Sequence, residues 1–202
     1  MSSPAHRYRV LVLPLAALVI AGLCWWRIEV DQQQRSAATG KNAARPVRLA
    51  PRFELYDQKS QLVKFERYLG RTRIVLVFFD GEQGADSDPW LPQLRDHFEQ
   101  IKAARIQVVG VGFASPYANR QAADRTVPFP FPICSDIGHD RPAPAHTAWG
   151  LFDPEQQVFR TGMFLIDRSG MVETERGRPR PTDDPAKAVV DLIAGRWPAA
   201  RP

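Results

Sequence analysis

The sequence predicts an α/β domain with a central mixed sheet and helices on both of its faces, carried behind one N-terminal transmembrane helix. Three observations point there. Ile74–Phe79 is a continuous apolar run of β-branched and aromatic residues, the pattern of a strand covered on both faces, and Ile106–Val111, ended by Gly112, reads as a second buried strand. Segments with helical spacing of apolar residues lie between such runs, which calls for crossover connections and helices laid over the sheet. Val10–Ile28, finally, is nineteen residues long and broken only by Arg27; as a helix it spans roughly 28 Å, about the thickness of bilayer hydrocarbon.

The chain divides into a leader over 1–9, a transmembrane signal anchor over 10–28, a flexible linker over 29–50 and a folded domain over 51–197. Arg7 and Arg9 precede the apolar run, and Trp25 and Trp26 stand where interfacial aromatics belong. A cleaved signal peptide is the rival reading. It is disfavoured because no small-x-small pattern follows the run, and Leu23-Cys24-Trp25-Trp26 makes a poor cleavage site. Bulky Leu23 likewise argues against lipidation of Cys24. Positive charge near the two ends is balanced, so orientation rests on the short leader: a large domain behind it is expected to be exported, periplasmic if the source is bacterial. Residues 31–50 are polar, small and aperiodic, too poor in apolar surface to repay the entropy of ordering.

Within the domain, Phe53–Tyr56 and Leu62–Phe65 alternate like a half-exposed hairpin. After the strand Ile74–Phe79, Asp88 is placed to cap a helix with Pro89 at its first position. Leu91, Leu94, Phe98 and Ile101 then give that helix one apolar face. Ser115 and Pro116 open a helix to Arg125, Phe131–Cys134 forms a brief strand, and Ala143–Trp149 a weak helix closed by Gly150. Met163–Ile166 and Met171–Glu173 flank the turn Asp167-Arg168-Ser169-Gly170. Thr182 is expected to cap a last helix that buries Ala188, Val189, Leu192 and Ile193.

The formal charge of +5 hints at nucleic acid, but its distribution removes the hint. Seven of the 27 Lys/Arg and two of the 22 Asp/Glu lie in residues 1–50, leaving twenty of each sign in the remainder. A neutral domain gives no electrostatic footprint for a duplex, so no nucleic acid is expected as partner. Two cysteines, Cys24 in the anchor and Cys134 in the domain, allow no disulfide framework.

Phe53-Glu54-Leu55, Gly70-Arg71, Phe131–Asp136, Ala148-Trp149-Gly150-Leu151 and Phe164-Leu165-Ile166-Asp167-x-x-Gly170, in this order, resemble the peroxiredoxin-like branch of the thioredoxin fold. That branch is the alkyl hydroperoxide reductase/thiol-specific antioxidant (redoxin) family, and the likeness covers roughly residues 47–195. It implies a thioredoxin-like three-layer fold and a thiol peroxidase site: a threonine and, three residues later, a peroxidatic cysteine at the start of the helix after the long strand. In this chain the cysteine position falls on Ser87, the threonine position on Gly84 and a second-cysteine position on Pro92. The family arginine is matched by Arg160, one residue farther from Phe164 than the pattern asks. The membrane-tethered thioredoxins of cytochrome maturation share the anchor–linker–domain layout but need Cys-x-x-Cys, where this chain has Gln83-Gly84-Ala85-Asp86.

Peroxide reduction needs a thiolate, which a helix amino terminus can favour by lowering a cysteine pKa. A serine hydroxyl forms neither a thiolate nor a sulfenate. The sequence therefore predicts no catalytic residue at Ser87 and a binding or scaffold module that uses the former active-site cleft, around Gly81–Trp90, for a protein partner. The alternative is a weak thiol–disulfide or peroxide enzyme acting through Cys134 with an external thiol; a buried inert core cysteine is the plainer account of that residue. His139 and His146, with Asp136, Asp140 and Cys134, match no strong metal spacing, and Asp80, Glu82, Asp86 and Asp88 lack the order of a calcium loop. No metal or cofactor is expected. Phe129-Pro130-Phe131-Pro132 reads as a strand entry with packed aromatics.

Overall fold

The structure, a computed structural model, describes residues 45–125, 127–138 and 143–198. The predicted leader, the anchor over 10–28, most of the linker, and His139 and Asp140 lie outside the described residues. Among the described residues no helix is long and apolar enough to cross a membrane.

Eleven strands and five helices follow one another: β1 (Val47–Leu49), β2 (Glu54–Asp57), β3 (Leu62–Lys64), β4 (Arg73–Phe79), α1 (Leu91–Asp96), α2 (Phe98–Ala103), β5 (Ile106–Gly112), α3 (Pro116–Arg125), β6 (Ile133–Ser135), α4 (Pro144–Ala148), β7 (Phe152–Asp153), β8 (Val158–Phe159), β9 (Gly162–Ile166), β10 (Met171–Glu175), β11 (Arg178–Pro179) and α5 (Pro185–Ile193), counted among the described residues. The main sheet runs β1-β10-β9-β4-β5-β6-β2-β3, with β11 beside β10. Strands β4, β5 and β6 are parallel neighbours, while β9, β10 and the β2–β3 hairpin pair antiparallel, so the sheet is mixed as predicted.

Strand β4 shows why the run Ile74–Phe79 reads as doubly covered. Alternate side chains point to opposite faces. Ile74, Leu76 and Phe78 enter one core with Phe65, Trp149 and Phe164, and Val75, Val77 and Phe79 enter the other with Leu91, Leu94, Ile101 and Leu192. Helices α1, α2 and α5 cover the second face and α4 the first, which makes three layers.

Several expectations need correction. The sheet begins at Val47, inside the segment assigned to the linker; β1 pairs with β10, and Arg45 bridges Glu173 at 3.0 Å and Asp183 at 2.9 Å. Its three residues are all exposed, so no burial pattern marks them as a strand. The cap of α5 is Asp184, which accepts the Lys187 N–H, whereas the Thr182 N–H is spent on the Met163 carbonyl. The two-residue strands β7, β8 and β11 are too short to carry a periodic signal. Phe129 and Phe131 are packed into the core beside Phe98, and their carbonyls accept from the buried Gln58 side chain.

Candidate functional site

The site lies at the carboxyl end of β4. Asp80 leaves the strand, and Gly81 lets the chain turn against the neighbouring strand exit: a Cβ there would collide with the Phe113 backbone, which cannot yield. The loop then folds on itself. The Asp80 side chain accepts from Glu82 N at 2.9 Å, and the Gly84 N–H donates to the Asp80 carbonyl at 3.0 Å. A short 3-10 turn, Ala85–Ser87, follows, pinned by Ala85 in the core.

Gly84 carries φ 86 and ψ 163, a region essentially reserved for glycine. The threonine position of the resemblance thus holds a backbone that a β-branched residue enters only under strain. Ser87, at the cysteine position, is exposed and donates from its Oγ to the Gln83 carbonyl at 3.0 Å. It does not stand in the first turn of α1, as the register suggested, but ahead of that helix. Pro92 explains the late start: lacking an N–H, it is tolerated only within a first turn, and it occupies that place in α1. Asp88 still serves as the predicted acceptor, taking the Trp90 and Leu91 N–H groups on one oxygen at 2.9 Å each.

Opposite the loop stand the start of β9 and the lead-in to α5. Together they enclose a cleft of about 530 Å³ whose walls include Asp80, Gly84, Ser87, Asp88, Trp90, Thr161 and Thr182. Two of these are carboxylates and no lysine or arginine lines the cleft. Arg160 is not brought to it. The guanidinium is 65% exposed and lies 3.7 Å from Asp153, and the residue that faces the cleft is its neighbour Thr161. Adjacent residues of an extended chain point opposite ways, so the one-residue offset from the family pattern puts the arginine on the wrong side.

The Ser87 hydroxyl is committed to the Gln83 carbonyl. A serine nucleophile needs a neighbouring group to take its proton, and no histidine or lysine lines the walls. The cleft presents hydroxyls, an indole and carboxylates to whatever enters it.

Cys134 is fully buried on β6, aligned with Asp57 of β2 and packed in the Phe78–Trp149 core. Burial pushes its thiol well up, with Asp57 and Asp136 adding to the effect. Asp136 and His146, weighed above as metal candidates, are both fully buried and bonded to each other, Nδ1 to Oδ2 at 2.6 Å; Asp136 also accepts the Ala145 and His146 N–H groups at the start of α4. This pairing holds the start of the helix from a distance: the N-cap position itself is Ala143, so no adjacent capping residue could have signalled it.

Burial raises the Asp88 carboxyl above its ordinary range, against the backbone N–H groups of Leu91 and Trp90, which lower it. The folded state then binds this proton more readily than the unfolded chain, so the ionised group costs stability at neutral pH and the cost fades as pH falls through the folded value. Asp88→Asn, which keeps the acceptor and drops the charge, is expected to leave stability equal or higher at pH 7. Asp88→Ala loses the acceptor and should cost about 1–2 kcal/mol. Urea unfolding of both variants at acid and neutral pH checks the pair.

With this geometry in hand, comparison with known proteins places the chain. The AhpC/TSA family model matches residues 47–175. Alkyl hydroperoxide reductase E of Mycobacterium tuberculosis is 30% identical over 123 residues, covering 61% of this chain and 78% of that protein. A selenocysteine-containing peroxiredoxin of Peptoclostridium acidaminophilum is 26% identical, covering 61% of this chain and 63% of its own length. Among solved structures, peroxidoxin BcpB from Mycobacterium tuberculosis superposes with a TM-score of 0.51 at 18% identity, over 74% of this chain and 96% of that one. Thioredoxin peroxidase I of Plasmodium yoelii gives 0.53 at 17% identity, over 72% and 84%. The structural likenesses establish the thioredoxin-like fold, and the family model, which spans most of the domain, establishes that this chain belongs to the AhpC/TSA family.

Proposed function

We propose that this chain is a membrane-tethered AhpC/TSA member that does not reduce peroxide and serves as a binding module through the cleft between the 80–90 loop and Thr161. One observation carries the reading: the cysteine position is an exposed serine, with carboxylates in the cleft and no lining cation. Peroxide reduction requires a thiolate and gains from positive charge near the oxygen that becomes anionic; these walls supply neither. In this reading the tether is the apolar segment 10–28, and the domain lies on the extracytoplasmic side, where a protein partner would meet the cleft.

Cys134 gives the redox alternative little support, because its sulfur is sealed in the core and held as the neutral thiol. Two measurements test the reading. The purified chain, supplied with hydrogen peroxide and a dithiol reductant, is expected to consume peroxide at the rate of the buffer and reductant alone. The domain thiol should react with an alkylating probe only after denaturation, measured in a Cys24→Ser background. Rapid labelling of the native fold, or peroxide turnover that disappears in Cys134→Ser, would overturn the proposal.

A further inference from the structure

At the opposite end of β4 from the cleft, the fold gathers a second, differently charged hollow of about 500 Å³. It is lined by Leu49, Arg52, Glu66, Arg67, Arg71 and Ser169, together with Leu69 and Gly70. Three guanidiniums face one carboxylate. Arg52 lies 3.9 Å from Glu66, with both side chains largely exposed, at 63% and 46%. Arg67 and Arg71 are exposed, and their guanidiniums make no hydrogen bond or ion pair among the described residues. The nearest acid on the facing turn, Asp167, has its Oδ1 committed to the Ser169 and Met171 N–H groups. Arg168 adds a further exposed cation to that turn.

A surface that concentrates unpaired guanidiniums on an otherwise neutral domain is a recognition feature for phosphoryl anions, which arginine binds in a fork. The apolar rim narrows the choice. Leu49 is 46% exposed at the mouth of the hollow, a poor neighbour for a small hydrated anion and a good one for the boundary between headgroups and acyl chains. We propose that this arginine hollow docks the domain on an anionic lipid surface, with Arg52, Arg67 and Arg71 on the headgroup phosphates. The inference rests on the tethered reading in one respect: an anchor over 10–28 would hold the domain at the bilayer, where such contacts are made at high effective concentration. Because β4, Arg73–Phe79, runs from the hollow to the cleft, docking turns the cleft away from the lipid by roughly 20 Å and opens it to a soluble partner.

The test uses the full chain in nanodiscs of phosphatidylcholine alone or mixed with phosphatidylglycerol, read by amide hydrogen exchange of residues 66–71 and 169–170. Slower exchange is expected in the anionic discs only, and high salt should abolish it. With each arginine contributing about fivefold to surface affinity, Arg52→Gln/Arg67→Gln/Arg71→Gln should weaken docking by about 100-fold and lose the protection. All three side chains are exposed, and an unfolding curve matching the parent confirms the variant; the Arg67→Gln/Arg71→Gln pair, expected to lose about 25-fold, serves if the triple does not fold. Equal exchange in both discs, or protection retained in the folded variants, overturns the proposal. So does equal protection by inorganic phosphate in neutral discs, which would make the hollow a free-anion site. Release of the chain from membranes by alkaline extraction would refute the anchor alone, and added anionic vesicles would then still test the hollow.

Discussion

Ser87→Cys by itself is expected to give the chain only the slow peroxide consumption of an ordinary thiol. A free thiol with a pKa of about 8.5 is ~3% ionised at pH 7. Position 87 offers no help: Asp80 and Asp88 share its cleft, no cation lines it, and it precedes α1 rather than sitting in the first turn. Ser87→Cys/Thr161→Arg should behave differently. Position 161 faces the cleft, so a guanidinium there would favour the thiolate and the oxyanion that develops as the peroxide bond breaks. One such donor is worth about 10²–10³ in rate, and the double variant should exceed the single by a factor in that range. Stopped-flow peroxide consumption with a dithiol reductant measures the ratio. Gly84→Thr should be left out, since strain at a glycine-only backbone costs about 1–3 kcal/mol. A single variant as fast as the double would mean that the cleft already activates a thiol, and the proposed loss of chemistry would reduce to one atom.

Phe78→Ala should be the most damaging single truncation in the core. The ring is fully buried on β4 and meets Trp149 at 5.8 Å, Phe164 at 5.7 Å and His146 at 4.9 Å between centroids. Phe164 on β9 and the α4 end of the molecule are joined through it. Phenylalanine-to-alanine changes in such positions cost about 3–5 kcal/mol, a large part of the 5–15 kcal/mol a domain typically has. Phe78→Leu, which keeps most of the volume, should cost less than about 1.5 kcal/mol. Chemical denaturation of both variants checks the contrast. A loss near 1 kcal/mol for the alanine variant would show that the cluster closes around the gap.

Local pattern carried the architecture. The unbroken apolar character of Ile74–Phe79, the valine-rich run Ile106–Val111, the spacing of Leu91, Leu94 and Ile101, and the turn residues ending in Gly170 (φ 79) each report on neighbours in the chain. Helix and strand periods are set by those neighbours. The missing cysteine was legible in the same way, because an absence between Asp80 and Pro89 needs only reading. Position in space was not. Arg160 matched a family residue in type and missed it in direction, since a shift of one residue along an extended chain reverses the side chain.

What the amino-acid order determined alone, then, is the α/β layering and the lack of a thiol in the reactive loop, both consequences of local periodicity and composition. Tertiary structure alone decided that Thr161 rather than Arg160 lines the cleft with Ser87, and that Gly84 holds a backbone closed to threonine; the burial of Cys134 matches the plainer sequence reading. Tertiary structure also decided that Arg52, Arg67 and Arg71 share one hollow. The physical reason is that each depends on how a loop or the ends of separate elements pack together, and sheet pairing and burial set that packing only once the whole core has formed.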